Sequence, residues 1–330
     1  LKAKEDEEKL LDKNYLDGVK IRYNGDIKEI NETPIANKLL NPQLINFGSA
    51  NAFLKQIEFK TTKNVDQNQW INCDNKKVEV EVDGIVENKS CREILIKYLH
   101  DEFELTAFML RILNKSIINL SNNPNEFVFE ITNREHLLNG KWENDKKYIK
   151  ILEVEKGKKK KTIMGFGPSA SGKTYWTRKI INMFNKSDKD FPNVFMCVDG
   201  GIIRENSEIY QDIVKNTPSH IKGFANLTEG KNKLAPTSKA KKSILKYLKE
   251  LKKQSNKSPV SVYVPETLSK CKWTSKIPGV KCEDFYKDYI NLTDSENDWI
   301  GLYIWQTKEN CEKLGQKRQY KEGKKYTSTY

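Results

Sequence analysis

Arginine is scarce in this chain: only seven of its 58 basic residues are arginine, namely Arg22, Arg92, Arg111, Arg134, Arg178, Arg204 and Arg318. Nucleic-acid surfaces draw on arginine for bidentate contacts to phosphates and base edges. The formal net charge of +13 therefore reads first as solvated lysine and only second as a polyanion-binding face. Histidine is scarcer still, with three: His100, His136 and His220. Cys73, Cys91, Cys197, Cys271, Cys282 and Cys311 include no C-x-x-C pair, so no zinc spacing forms. Scattered thiols of this kind suit a reducing cytosol. No apolar run approaches the roughly 20 residues of a membrane span, and residues 1–11 are too charged for a signal peptide. The expectation is a soluble, cytoplasmic protein with no membrane partner. There is no internal repeat.

What is present divides at residues 155–161, where Gly157 and a lysine run interrupt the pattern. Residues 1–154 read as a smaller α+β region without recognisable chemistry. Alternation of apolar and charged residues predicts strands over 78–82 and 127–131, and a third covers 148–154. Between the first two, Ile94, Leu95, Tyr98, Leu99, Leu105, Phe108, Met109 and Ile112 recur at helical spacing within 92–120, which predicts a core-facing helix. In residues 155–330, strands over 162–165, 193–198, 260–264 and 299–305 alternate with helices over 175–184, 207–214 and 238–251. That alternation predicts an α/β fold with a parallel sheet covered by helices on both faces. The lysine-clad face of the helix near 239–253 reads as solvated.

The chemistry concentrates at residues 167–174, where Gly167, Gly172, Lys173 and Thr174 complete G-x-x-x-x-G-K-[ST] without a mismatch. The motif follows an apolar strand and opens a helix, the context a P-loop requires. Small residues at Ser169, Ala170, Ser171 and Gly172 let successive N–H groups curl around an anion, and the helix adds its positive N-terminal end. Lys173 is then expected to reach the β- and γ-phosphates, and the Thr174 hydroxyl to coordinate Mg²⁺. The implied cofactors are ATP and Mg²⁺, and the implied fold is that of a P-loop kinase.

Other P-loop classes fit less well. A guanine-reading N-K-x-D is absent; Thr307-Lys308-Glu309-Asn310 lacks the aspartate. Neither Val198-Asp199-Gly200 nor Val264-Pro265-Glu266 gives the Asp-Glu strand end of a mechanical ATPase. A small-molecule kinase instead places one acid at the end of the strand after the P-loop helix, facing the acceptor hydroxyl, and Asp199 stands there.

The P-loop, followed by Val198-Asp199-Gly200-Gly201-Ile202-Ile203-Arg204 and then Tyr210, resembles the zeta-toxin kinases over about half the chain. The segment around Arg318 and Lys324 is similar to the family's late basic stretch near the phosphates. The family's usual second acid is replaced by Gly201, which moves the base role to Asp199, with Glu205 and Glu266 as the other carboxylates in reach. The resemblance implies Arg204 in catalysis and Arg204, Glu205, Tyr210 and Glu266 at the acceptor. It implies as acceptor a hydroxyl of a nucleotide-containing metabolite, either a UDP-sugar or the ribose of NAD. Asp-Gly-Gly with Arg204-Glu205 is closer to bacterial effectors of zeta type that act on NAD. Such a protein is expected to be a toxin or effector, delivered into a host cytosol or held by an antitoxin or chaperone-like inhibitor.

Each residue also has a plainer reading: Asp199 as a helix N-cap, Arg204 paired with a surface acid, Glu266 as a strand cap, Arg318 and Lys324 as solvated tail, and Tyr210 as packing. Two rival functions stay open, a polynucleotide kinase and a non-catalytic nucleotide-binding module with Asp199 remote from the P-loop.

Overall fold

The computed structural model of the chain describes residues 20–23, 26–29, 77–82, 85–90, 99–100, 102–119, 129–133, 141–207, 210–211, 214, 237–267, 287–295, 298–322 and 326. In the first half, β1 (Lys20–Tyr23) pairs antiparallel with β2 (Asp26–Glu29), and β3 (Lys77–Val82) with β4 (Ile85–Ser90). Helix α1 (Thr106–Lys115) leads into β5 (Ile117–Asn119). Strands β6 (Phe129–Ile131) and β7 (Ile149–Ile151) flank α2 (Trp142–Asp145). A four-stranded sheet runs β2-β1-β6-β7, with β1 and β6 parallel and the other pairs antiparallel.

The second half alternates as its sequence pattern predicts. In order come β8 (Thr162–Phe166), α3 (Lys173–Ser187), β9 (Val194–Cys197), α4 (Gly200–Asn206), α5 (Thr237–Ser255), β10 (Ser261–Glu266), α6 (Lys287–Ile290), β11 (Trp299–Tyr303) and α7 (Lys308–Glu322). A five-stranded sheet runs β11-β8-β10-β9-β5; its first four strands are parallel and β5 is antiparallel to β9.

Period-2 alternation sends side chains from this sheet into two cores. Met164, Phe166, Met196, Val198, Val262 and Val264 meet Ile244, Leu245 and Leu248 of α5 on one face. Ile163, Phe195, Cys197 and Tyr263 meet Ile181 of α3 on the other. Helices thus cover the sheet from both sides. With β8, β9 and the first four residues of β10 buried front and back, their register is fixed and their C-terminal ends are held in place, while β11 at the edge is only half-buried.

Two differences from the sequence reading bear on the site. The helix expected through residue 120 ends at Ser116, whose carbonyl accepts from Cys197 N at 2.7 Å. The β-branched pair Ile117-Ile118 then adds a strand to the sheet of the second half, so residues on both sides of the 155–161 boundary share one sheet and one core. Second, an unforecast helix, α4, runs from Gly200 to Asn206 ahead of the helix expected over 207–214, whose described residues 210, 211 and 214 are helical. Two glycines make a poor helix start by propensity; a side-chain cap supplies the stop that they lack.

Candidate active site

Strands β8, β10 and β9 are neighbours, and their C-terminal ends deliver Gly167, Glu266 and Asp199 to one edge of the sheet, where open α/β sheets bind ligands. Ala170 (φ 65°) and Gly172 (φ 80°) both take the left-handed region that turns the loop between β8 and α3. Gly172 is the N-cap of α3, a position where an L side chain would be strained. The Lys173 ammonium lies over this loop, donating to the carbonyls of Gly167 at 3.0 Å and Pro168 at 2.7 Å. Ser171 is buried, with no hydrogen bond to its hydroxyl among the described residues.

Ser169, Ala170, Ser171, Gly172, Lys173 and Thr174 line a cleft of about 930 Å³. The same cleft is lined by Asp199, Arg204, Glu205, Glu266 and Arg318, which the sequence singled out, and by Lys115, Arg178, Thr237 and Lys241, which it did not. Gly167 lies below the loop against the Ile304 carbonyl. Tyr210 is fully buried, and its hydroxyl donates to the Glu322 carbonyl at 2.8 Å, so its part is packing beside the site. Lys324 lies outside the described residues.

Asp199 combines its two readings. One carboxylate oxygen accepts from Gly201 N at 3.0 Å, which caps α4, while the side chain opens onto the cleft. A Cβ on Gly201 would stand 3.1 Å from the other oxygen, so glycine there leaves the carboxylate clear. One turn on, α4 presents Arg204, buried except at the cleft, and the more exposed Glu205. Burial, then the negative charges of Glu322 and Asp199, raise the Glu205 pKa against the pull of Arg318 and Arg204.

The far end of α4 is held by the first half of the chain. Ser207 donates to the Glu102 carboxylate, and Arg111 of α1 donates to the Asn206 carbonyl and pairs with Glu102 at 3.7 Å. Glu266 is paired with Lys241 of α5 at 2.9 Å, both side chains largely buried. Burial pulls the Lys241 pKa down, but Glu266 with Tyr289 and Asp199 more than offset it, so the ammonium keeps its charge. Arg318 forms a two-pronged pair with Glu322 at 2.8 and 2.9 Å, which holds its guanidinium charged at the mouth of the cleft.

Beneath the loop lies Tyr263, its phenol pKa raised by burial and lowered in part by the Thr177 and Thr174 hydroxyls beside it. Its ring is fully buried between β8 and α3. Among the described residues no group of three His, Cys, Asp or Glu forms a metal cage. Mg²⁺ carried on a triphosphate needs less from the protein: most of its ligands are phosphate oxygens and water. A threonine hydroxyl beside an anion cradle, as at Thr174, suits it.

Compared with protein-family models, with curated proteins and with solved structures, the chain matches none.

Proposed function

We propose that the chain is an ATP-dependent small-molecule kinase of zeta-toxin type, transferring the γ-phosphoryl group to a hydroxyl of a nucleotide-containing metabolite. One observation carries this reading. The P-loop and the acid at the end of the next parallel strand, Asp199, face a single cleft, with Arg204 and Arg318 on its walls. A module that only bound nucleotide would have no need of an acid and two guanidiniums facing its phosphate cradle.

The backbone N–H groups of 169–174 and the N-terminal end of α3 hold the donor phosphates. Mg²⁺, held by Thr174 and the phosphate oxygens, would neutralise charge on the transferred group. Lys173 leaves the loop carbonyls for the phosphates. Asp199 orients the acceptor hydroxyl and takes its proton, and the fixed charges of Arg204 and Arg318 stabilise the charge that develops on transfer. Glu205 and Glu266 sit where they would hydrogen-bond other hydroxyls of the acceptor. Depleting NAD or a UDP-sugar in this way would make the protein a toxin or effector.

A metabolite panel tests the proposal. NAD, UDP-sugars and a 5′-hydroxyl oligonucleotide are incubated with ATP·Mg²⁺ and the protein, and products are read by mass spectrometry. The expected result is one added phosphoryl group on NAD or a UDP-sugar and none on the oligonucleotide. Labelling of the oligonucleotide alone would replace this reading with a polynucleotide kinase.

A further inference from the structure

We propose that Tyr175 and Trp176 form the wall against which the base of the bound nucleotide stacks. The inference rests on the reading of residues 167–174 as a triphosphate site, and it extends that site past the phosphates.

The placement follows from helix geometry. Trp176 N donates to the Gly172 carbonyl at 3.0 Å, so Trp176 stands one turn into α3. Side chains on a helix lean toward its N-terminus, and the indole accordingly lies back over the turn of the P-loop. Its Cδ1 and Nε1 are 3.5 and 3.8 Å from where a Cβ on Gly172 would stand. Tyr175 lines the phosphate cleft and meets Trp176 edge-to-face, ring centres 5.3 Å apart. The Lys179 ammonium stands 4.7 Å from the Tyr175 ring centre and 5.4 Å from that of Trp176.

Two large aromatic side chains beside a polar cleft would ordinarily be covered, yet Tyr175 is 57% and Trp176 46% exposed. The occupant that the site itself supplies is a nucleobase, because a triphosphate seated on Gly172 and Lys173 tethers its own base close to this turn. Base–aromatic stacking needs no matched hydrogen bonds, so it favours purines by ring area without reading one base from another. Lys179, already attracted to both ring faces, adds a cation beside the nucleotide.

The test separates the base from the phosphates. Affinities of the full chain for ATP·Mg²⁺ and for tripolyphosphate·Mg²⁺ are measured by calorimetry in the parent, Trp176→Ala, Trp176→Phe and Tyr175→Ala. Loss of a stacking partner is expected to weaken ATP on the order of tenfold in Trp176→Ala. Tripolyphosphate should bind that variant as it binds the parent, and Trp176→Phe should keep most of the ATP affinity. Unchanged ATP affinity in Trp176→Ala overturns the proposal and leaves a protein surface or single-stranded nucleic acid as the occupant of the rings. Equal weakening of both ligands overturns it too, since the rings would then only support the phosphate cradle. A parent that binds ATP but not tripolyphosphate, or neither, brings down the triphosphate reading on which the proposal stands. Should Trp176→Ala not fold, the same decision falls to Tyr175→Ala and to indole quenching in the parent against Trp176→Phe, expected with ATP and not with tripolyphosphate.

Discussion

A carboxylate that caps a helix is usually spent on that cap, but Asp199 has two oxygens and uses one. Gly201 N takes the first at 3.0 Å, and the absence of a side chain at Gly201 leaves the second facing the cleft. Asp199→Asn keeps the shape and one capping oxygen, so it isolates the charge. It is expected to lower kcat by on the order of 10² or more with little effect on ATP affinity, the range of general-base or hydroxyl-orienting groups. Single-turnover rates of Asp199→Asn, Glu205→Gln and Glu266→Gln rank the three cleft carboxylates. Near-parent kcat in Asp199→Asn with a collapse in one glutamine variant would move the base to that glutamate. The motif marked residues 167–174 as a loop between a strand and a helix, and the strand expected over 193–198 placed Asp199 just past its end, as the fold has it. Lys241 was not legible: one lysine on a lysine-clad helix looks like its neighbours until the fold sets it against Glu266. Tyr263 was hidden the same way, as one apolar-run residue among several.

Among the elements, α4 is the one that sequence patterning did not forecast and the one that carries Arg204 and Glu205. Its capping logic is local and readable in retrospect: Asp199 followed by two glycines is a stop-and-turn that restarts as helix. Its other end could not be read at all, because its partners lie about a hundred residues away. Glu102 and Arg111 are buried, and together they engage Ser207 and the Asn206 carbonyl. Removing one member of a buried charge pair costs on the order of 3 kcal/mol. Arg111→Met is therefore expected to lower unfolding stability by about that much in denaturant titration, and to reduce kcat through displaced Arg204 and Glu205. Combining it with Glu102→Gln should recover part of the loss. A stability change under about 1 kcal/mol in Arg111→Met would show that α4 stands without this support.

For the whole molecule, the alternation of strands and helices after residue 155 forecast a mostly parallel sheet with helices on both faces, and that is the sheet observed. The contribution of earlier residues was not forecast. Ile117-Ile118 is too short an apolar run to separate from the helix before it, and only pairing with β9 makes it a strand. The consequence reaches the cleft, since the same early segment that completes the sheet also buttresses α4 there. The account's central claim is that this cleft moves a phosphoryl group from the P-loop to an acceptor at Asp199. It is tested most directly by following γ-labelled ATP with the metabolite acceptor in the parent and in Lys173→Ala, each first checked for equal thermal stability. The expected result is rapid transfer of label by the parent and none above background in Lys173→Ala, because the lost ammonium serves ligand phosphates and not the core. Equal transfer by the two proteins would contradict the claim and take the P-loop out of the mechanism.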